Sequence, residues 1–243
     1  MEMPISNADA PSVTRQEFLD SVLRLSPQTA AFDCDGTLWT GDSGERFFDW
    51  EIRKGLVSDE IGRTMRARYL EYKSGQVSED EMCAEMVTMH KGMAESILLD
   101  AAAEFMATSF SSTVFDEMLE LVHLLHQKGC EIWAVSSSNE WVIRAGVKQF
   151  GINADRILAA TAAVENGIIT GRMVRLPSGP GKPQALREVA KKKIDAAFGN
   201  SRWDTEMLEY AAHGFAINPN PDLEATARER GWTIYFPALT PRR

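Results

Sequence analysis

Two carboxylates one residue apart, Asp33 and Asp35, close a short apolar run, Ala30-Ala31-Phe32. The run reads as a buried strand. Side chains alternate between the faces of a strand, so these two acids point the same way. Gly36 follows and lets the backbone turn. Paired carboxylates at the mouth of an apolar strand are costly unless a cation or a proton holds them. That cost marks the stretch as a candidate site.

Other polar residues follow other apolar runs, and ligands of open α/β sheets bind beyond the carboxyl ends of the strands. Cys130–Val135 reads as a second core strand that ends in Ser136-Ser137-Ser138-Asn139-Glu140. Ser136 falls at the strand end as a hydroxyl for a phosphate. Ser137 with Glu140 has the pattern of a capping box, so Ser137 is expected to start a helix whose N–H groups add to the same phosphate site. A third run, Ala196-Ala197-Phe198-Gly199, leads into Asn200 and Asp204. Lys182 comes from a tight loop, Gly179-Pro180-Gly181, and Pro183 opens the next helix. That loop is not a nucleotide P-loop, because Pro183 stands where one needs Ser or Thr.

Hard oxygens from Asp33, Asp35, Asn200 and Asp204 suit Mg²⁺, which shares its shell with substrate phosphate. Ser136, Ser137 and Lys182 are the candidate phosphate-binding residues. An aspartate with an ordinary pKa near ~3.9 is ionised at neutral pH, so Asp33 can attack phosphorus without an activating base. Asp35 would protonate the leaving alcohol and then take a proton from water. Mg²⁺ and Lys182 would offset the repulsion between Asp33 and the phosphate.

The elements that must position these residues alternate. A helix over Thr14–Leu25, with Thr14 as N-cap, precedes the first strand. An amphipathic helix over 114–129, closed by Gly129, precedes the second; His123 and His126 on it read as solvated. A β-hairpin over 157–173 turns at Asn166-Gly167. Two further strands, Gly214–Ile217 and Trp232–Tyr235, flank a helix over Asp222–Arg230. Strands alternating with helices imply a parallel sheet covered on both faces. Residues 42–113 contain no strand-like run and read as three or four helices. One of these ends at Ser74-Gly75 and the next starts at a Ser78/Glu81 capping box, with a stripe of Met82, Met86, Met89 and Met93. Residues 1–41 and 114–243 therefore read as an α/β core, with 42–113 as a helical insertion; residues 1–12 read as a loose leader.

The formal net charge of -9 argues against nucleic acid or an anionic membrane as the main partner. It leaves room for a small phosphorylated metabolite held by a few local donors. Cys34, Cys83 and Cys130 match no zinc spacing and read as reduced thiols of a cytoplasmic protein. No stretch approaches the ~20 apolar residues of a membrane span, and Met1-Glu2-Met3-Pro4 has neither the basic start nor the apolar run of a signal peptide.

Asp33-Cys34-Asp35-Gly36-Thr37, then Ser136, then Lys182, then Gly199-Asn200-Ser201-Arg202-Trp203-Asp204 resembles, in that order, the four motifs of the haloacid dehalogenase superfamily. The hairpin Val164–Gly171 and the position of the helical insertion are similar to the phosphoserine-phosphatase-like branch. The resemblance implies a Rossmann-like core with an all-helical cap that closes over the site. It implies a Mg²⁺-dependent phosphatase with an aspartyl-phosphate intermediate on Asp33, acting on phosphoserine or a similar small phosphometabolite. Asp35 would be the acid/base and lend its main-chain carbonyl to Mg²⁺. Dehalogenases of the superfamily lack the second aspartate, so Asp35 favours phosphate chemistry. Glu45 matches the acid expected near a substrate amine. Met86 falls where that branch has an arginine for the substrate carboxylate, with Arg66 and Arg68 as substitutes elsewhere on the cap. Trp39, Trp50, Trp141 and Trp203 lie near motif positions, as core packing or as a cage for a choline-like cation. The same residues also fit a phosphotransferase or phosphomutase. Asn200, where the family usually has Asp, admits a weakly active phosphate-binding protein.

The amide offers Mg²⁺ one oxygen but one negative charge fewer. Asn200→Asp is therefore expected to lower the Mg²⁺ concentration that gives half-maximal activity. An unchanged or higher requirement in a Mg²⁺ titration would remove Asn200 from the metal site.

Overall fold

The computed structural model describes residues 13–190 and 192–238; the leader read over residues 1–12 lies outside them. The chain enters through α1 (Arg15–Arg24), capped by Thr14 and Glu17 in a reciprocal capping box. β1 (Thr29–Phe32) follows, with all four residues buried. Four helices come next: α2 (Ser43–Lys54), α3 (Asp59–Lys73), α4 (Glu79–Thr88) and α5 (Glu95–Phe105). The core then resumes with α6 (Asp116–Gln127), β2 (Glu131–Asn139), α7 (Glu140–Val147) and the hairpin β3 (Ile157–Glu165) and β4 (Ile168–Arg175). It closes with α8 (Gly181–Val189), β5 (Ala196–Gly199), α9 (Thr205–Tyr210), β6 (His213–Ile217), α10 (Pro221–Arg230) and β7 (Thr233–Tyr235).

The strands form one sheet in the order β4-β3-β2-β1-β5-β6-β7. Every neighbouring pair is parallel except the β3–β4 hairpin. With helices on both faces, the fold is a Rossmann-like α/β fold. β1 lies between β2 and β5, with Phe32 level with Ala134 and Phe198. This register brings Asp33, Ser136 and Asn200 to one edge of the sheet. The ladder continues one step past β1, where the Asp33 N–H donates to the Phe198 carbonyl at 2.9 Å.

Alternation along β1 splits the core in two. Ala30 and Phe32 join one cluster and Ala31 the other. On the first side, Phe32 stacks on Phe198 at 4.2 Å, and Phe198 on Phe215 at 4.9 Å. The four helices between β1 and α6 divide by packing. Phe47 and Trp50 of α2 and Leu98 and Phe105 of α5 belong to the main cluster. Phe48, Met65, Val77 and Met82 form a small cluster of their own, built largely from α3 and α4.

Two boundaries differ from the sequence reading. β2 runs four residues past Val135, to Asn139, because pairing with β3 extends to Asn139↔Ala160. The helix cap is accordingly Asn139, whose side chain accepts from the Val142 N–H, and not Ser137. The methionine stripe also breaks, since α4 ends at Thr88. Trp39, Trp50 and Trp141 are core residues, whereas Trp203 lines the polar cavity described below. The three cysteines are free. No helix among the described residues is long and apolar enough to cross a membrane.

Phe32→Ala removes a fully buried ring from the stack that holds β1 against β5. It is expected to destabilise the protein by about 3–5 kcal/mol. Urea unfolding checks this, and a loss below about 1 kcal/mol would mean that the stack is not a core contact.

Candidate active site

The edge formed by β1, β2 and β5 opens into a polar cavity of about 390 Å³. Asp33, Asp35, Ser136, Ser137, Lys182 and Asn200 all line it. Lys182 is 2% exposed and makes the central contact. Its Nζ donates to Asp33 Oδ1 at 2.8 Å, to Asp204 Oδ1 at 2.5 Å and to the Val135 carbonyl at 3.4 Å. The loop before α8 brings it there through a close backbone approach. A Cβ added at Gly181 would lie 2.7 Å from the Leu176 carbonyl oxygen.

The carboxylates differ in their surroundings. Asp33 is buried; its second oxygen accepts from Thr37 Oγ1 at 2.8 Å. Asp204 is wholly buried, and its Oδ2 accepts from the Asn200 and Ser201 N–H groups at 3.0 and 2.9 Å and from Ser201 Oγ at 3.2 Å. Both Asp204 oxygens are thus engaged by donors. Asp35 accepts from Trp39 Nε1 and the Ser43 N–H on one oxygen, both at 2.7 Å, and from Ser138 Oγ at 2.6 Å on the other. Ser136 Oγ accepts from the Ser138 N–H at 3.1 Å. Ser137 Oγ donates to Glu79 Oε1 at 3.4 Å.

Asn200 faces Gly36 across the cavity floor. Gly36 has φ +80°, and a Cβ there would fall 1.8 Å from Asn200 Nδ2. Glycine is thus required twice over, by conformation and by contact. Glu45 lies in the first turn of α2, beside a smaller adjoining chamber that Met86 also lines. Arg66 and Arg68 line neither space. Arg66 bonds to Asp49, and Arg68 forks onto Glu85 and also holds Glu71.

Electrostatics follow from burial. Burial first and Asp204 second raise Asp33 to about 7, while Lys182 pulls it back, so the ordinary carboxylate value expected from the sequence does not hold in the folded chain. Burial alone would lower Lys182, but Asp204 and Asp33 more than offset it and hold the ammonium well above its ordinary value. Burial, reinforced by the flanking acids, pushes the Cys34 thiol far up, which leaves it unreactive. Asp42, the cap of α2, is also pushed up by the surrounding protein and by Asp35, although its cavity-facing edge stays wet.

Several lining residues were not singled out from sequence: Ser138, Asp42, Tyr72, Glu79, Asn218 and Asn220. Ser138 had a usable signal, because two residues after Ser136 on a strand it faces the same way. Glu79 had none, since its contact with Ser137 spans 58 residues of chain.

A mostly parallel sheet that presents acids, a lysine and a hydroxyl at adjoining carboxyl ends has the makings of a site for an anionic ligand and a cation. Residues 30–209 match the family model of haloacid dehalogenase-like hydrolases, and the chain belongs to that family. It is 26% identical over 215 residues to a histidinol-phosphatase of Neisseria meningitidis, covering 84% of this chain and 96% of that relative. It is 25% identical over 229 residues to a phosphoserine phosphatase of Mycobacterium tuberculosis, covering 84% and 69%. A solved structure of a protein of unknown function from Bordetella pertussis Tohama I superposes with a TM-score of 0.77 at 22% identity, over 87% of this chain and 98% of that one. The chain is a phosphatase-like member of the family.

The position of Asp33 has a consequence for stability. An acid whose folded pKa lies above its unfolded value, here about 7 against 3.8, contributes stability that is complete below the lower value and lost as pH rises through the upper one. In EDTA, the chain is therefore expected to lose thermal stability relative to Asp33→Asn between about pH 4 and 7, with parallel curves above. Effects of carboxylates remote from Asp33 cancel in the difference. Melting curves that stay parallel throughout would mean that Asp33 is ionised in the native state across the range.

Proposed function

We propose that the chain is a Mg²⁺-dependent phosphatase that hydrolyses a small phosphomonoester, phosphoserine or a similar small phosphometabolite, through an aspartyl-phosphate on Asp33. The observation that carries the reading is the pairing of Asp33 with buried Lys182 beside Asp35, which pairs with no cationic side chain among the described residues, all lining one polar cavity. The phosphatase names of the two relatives support it.

The donor set fits Mg²⁺. Asp33 supplies a carboxylate, Asp35 its main-chain carbonyl, and Asn200 an amide held beside them by contact with Gly36. Among the described residues no group of three or more His, Cys, Asp or Glu is arranged for a metal. Mg²⁺ needs no such group, since one or two carboxylates with water and phosphate oxygens complete its octahedron. When bound, it supplies positive charge against the phosphoryl oxygens. Asp204, with both oxygens engaged by donors, positions Lys182 in this reading and is not itself a ligand.

Lys182 and Ser136 hold the phosphoryl oxygens, with Ser137 at the cavity wall. An Asp33 oxygen attacks phosphorus in line as the bond to the alcohol oxygen breaks. Asp35 gives its proton to the departing oxygen. Its three donors fix the carboxyl in place, and the Ser138 hydroxyl can turn to accept when Asp35 is protonated. Water then attacks the phosphoryl group and yields a proton to Asp35. The Asp33–phosphorus bond breaks, freeing inorganic phosphate and restoring both aspartates.

With para-nitrophenyl phosphate and Mg²⁺, the chain is expected to release nitrophenol and phosphate in equal amounts. Asp33→Asn should lower kcat by at least about 10³-fold, the scale on which loss of a nucleophile is felt. Turnover by Asp33→Asn equal to that of the unaltered chain would overturn the mechanism.

A further inference from the structure

The three donors that hold the Asp35 carboxyl are not equivalent. Oδ1 accepts from the Trp39 indole N–H and the Ser43 main-chain N–H, both at 2.7 Å. Neither N–H can accept in return. Neither can turn away, because Trp39 and Ser43 are wholly buried and the Trp39 ring stands edge-on to Phe110 at 6.0 Å. A proton on Oδ1 would therefore face two N–H hydrogens. Oδ2 meets the Ser138 hydroxyl instead, at 2.6 Å. A hydroxyl both donates and accepts, so this contact survives the arrival of a proton by reversing its direction. The geometry thus puts the acid's proton on Oδ2.

Ser138 is itself closely held. Strand β2 carries it past Ser136 because pairing with β3 lasts to Asn139. Its N–H donates to Ser136 Oγ at 3.1 Å, which leaves the Ser136 hydrogen free for a phosphoryl oxygen. The first turn of α2 closes the other side. A Cβ added at Gly44 would lie 3.2 Å from Ser138 Oγ and 3.7 Å from its Cβ.

Ser138 also stands at a boundary. It lines both the polar cavity and the smaller chamber, whereas Asp33 and Asp35 line only the cavity. In-line attack by Asp33 puts the leaving oxygen on the far side of phosphorus, away from the sheet edge. The leaving oxygen therefore departs toward the side that Ser138 borders.

We propose that Ser138 is a positioning residue for the acid step: its hydroxyl keeps Oδ2 of Asp35, the oxygen that bears the proton, turned toward the leaving oxygen. The proposal rests on the phosphatase reading and adds to it a residue that acts through Asp35. The Oδ2–H rests on Ser138 Oγ until the ester oxygen gains charge. As the phosphorus–oxygen bond breaks, its electron pair goes to the alcohol oxygen, the Oδ2–H bond breaks, and the proton passes to that oxygen. Ser138 then turns its own hydrogen back to Oδ2, as in the structure. It is neither consumed nor ionised. The need for this depends on the leaving group: an alkoxide requires the proton, whereas a nitrophenolate departs without it.

Two esters test this with the full chain and Mg²⁺: 2-hydroxyethyl phosphate, which leaves as an alkoxide, and para-nitrophenyl phosphate. Ser138→Ala keeps the N–H that orients Ser136 and removes only the hydroxyl. It is expected to lower kcat/KM for the alkyl ester at least about tenfold more than for the nitrophenyl ester. Ser138→Thr restores the hydroxyl and should bring the ratio of the two esters back to within about threefold of the unaltered chain. A ratio read within one preparation does not depend on the fraction folded. An equal loss on both esters overturns the proposal alone, as does a Ser138→Thr ratio that stays with that of Ser138→Ala. Asp35→Asn should shift the ratio in the same direction and further; no shift there removes Asp35 as the acid and the proposal with it. If the unaltered chain turns over neither ester, the phosphatase reading itself falls, and the proposal falls with it.

Discussion

Lys182 is the charge on which the rest of the site depends. It is an ammonium taken out of water at the carboxyl end of β1, and only the oxygens of Asp33, Asp204 and Val135 replace its hydration. Buried ions are tolerable only when paired and hydrogen-bonded. The pairing is lopsided: two buried acids meet one base, and Asp35 stands close by. Burial first and the residual negative charge second lift Asp33, and together they favour one more cation in the site. Asp204 spreads its own charge over two backbone N–H groups and a hydroxyl, so it can stay ionised in a place without solvent.

The helical stretch between β1 and α6 has two kinds of anchoring. α2 and α5 are tied to the sheet through Phe47, Trp50, Leu98 and Phe105, which share the main core. α3 and α4 rest on a cluster of a few residues around Met65 and Met82. Yet α3 and α4 supply Tyr69, Tyr72, Glu79 and Met86 to the chamber wall. The groups that line this chamber thus sit on the least-anchored elements, where local opening costs least. The groups assigned to the phosphoryl chemistry sit at the ends of the sheet strands and, for Lys182, at the start of α8.

Much of this was legible in the chain because it depends on short-range regularities. The capping boxes at Thr14/Glu17 and Ser78/Glu81, the Asn166-Gly167 turn and the apolar runs of β1, β2 and β5 are local patterns, and they formed where expected. The cap of α7 was misplaced by two residues, because pairing with β3 carries β2 past the point where local capping chemistry would end it. Tertiary pairing outweighed a plausible local motif there.

Residue type and spacing alone marked the reactive edge: an apolar run followed by Asp33, Asp35 and Gly36 is a strand end bearing two acids, and both line the cavity although β1 itself stops at Phe32. Only the tertiary structure decided the partners of those acids. It set Lys182 between Asp33 and Asp204. It gave Asp35 to Trp39, Ser43 and Ser138. It turned Arg68 away onto Glu85 and brought Glu79 to Ser137. The physical reason is distance along the chain. Alternation and capping act over two to four residues, whereas Lys182 and Asp33 are 149 residues apart, and packing of the whole sheet is what brings them to hydrogen-bond distance.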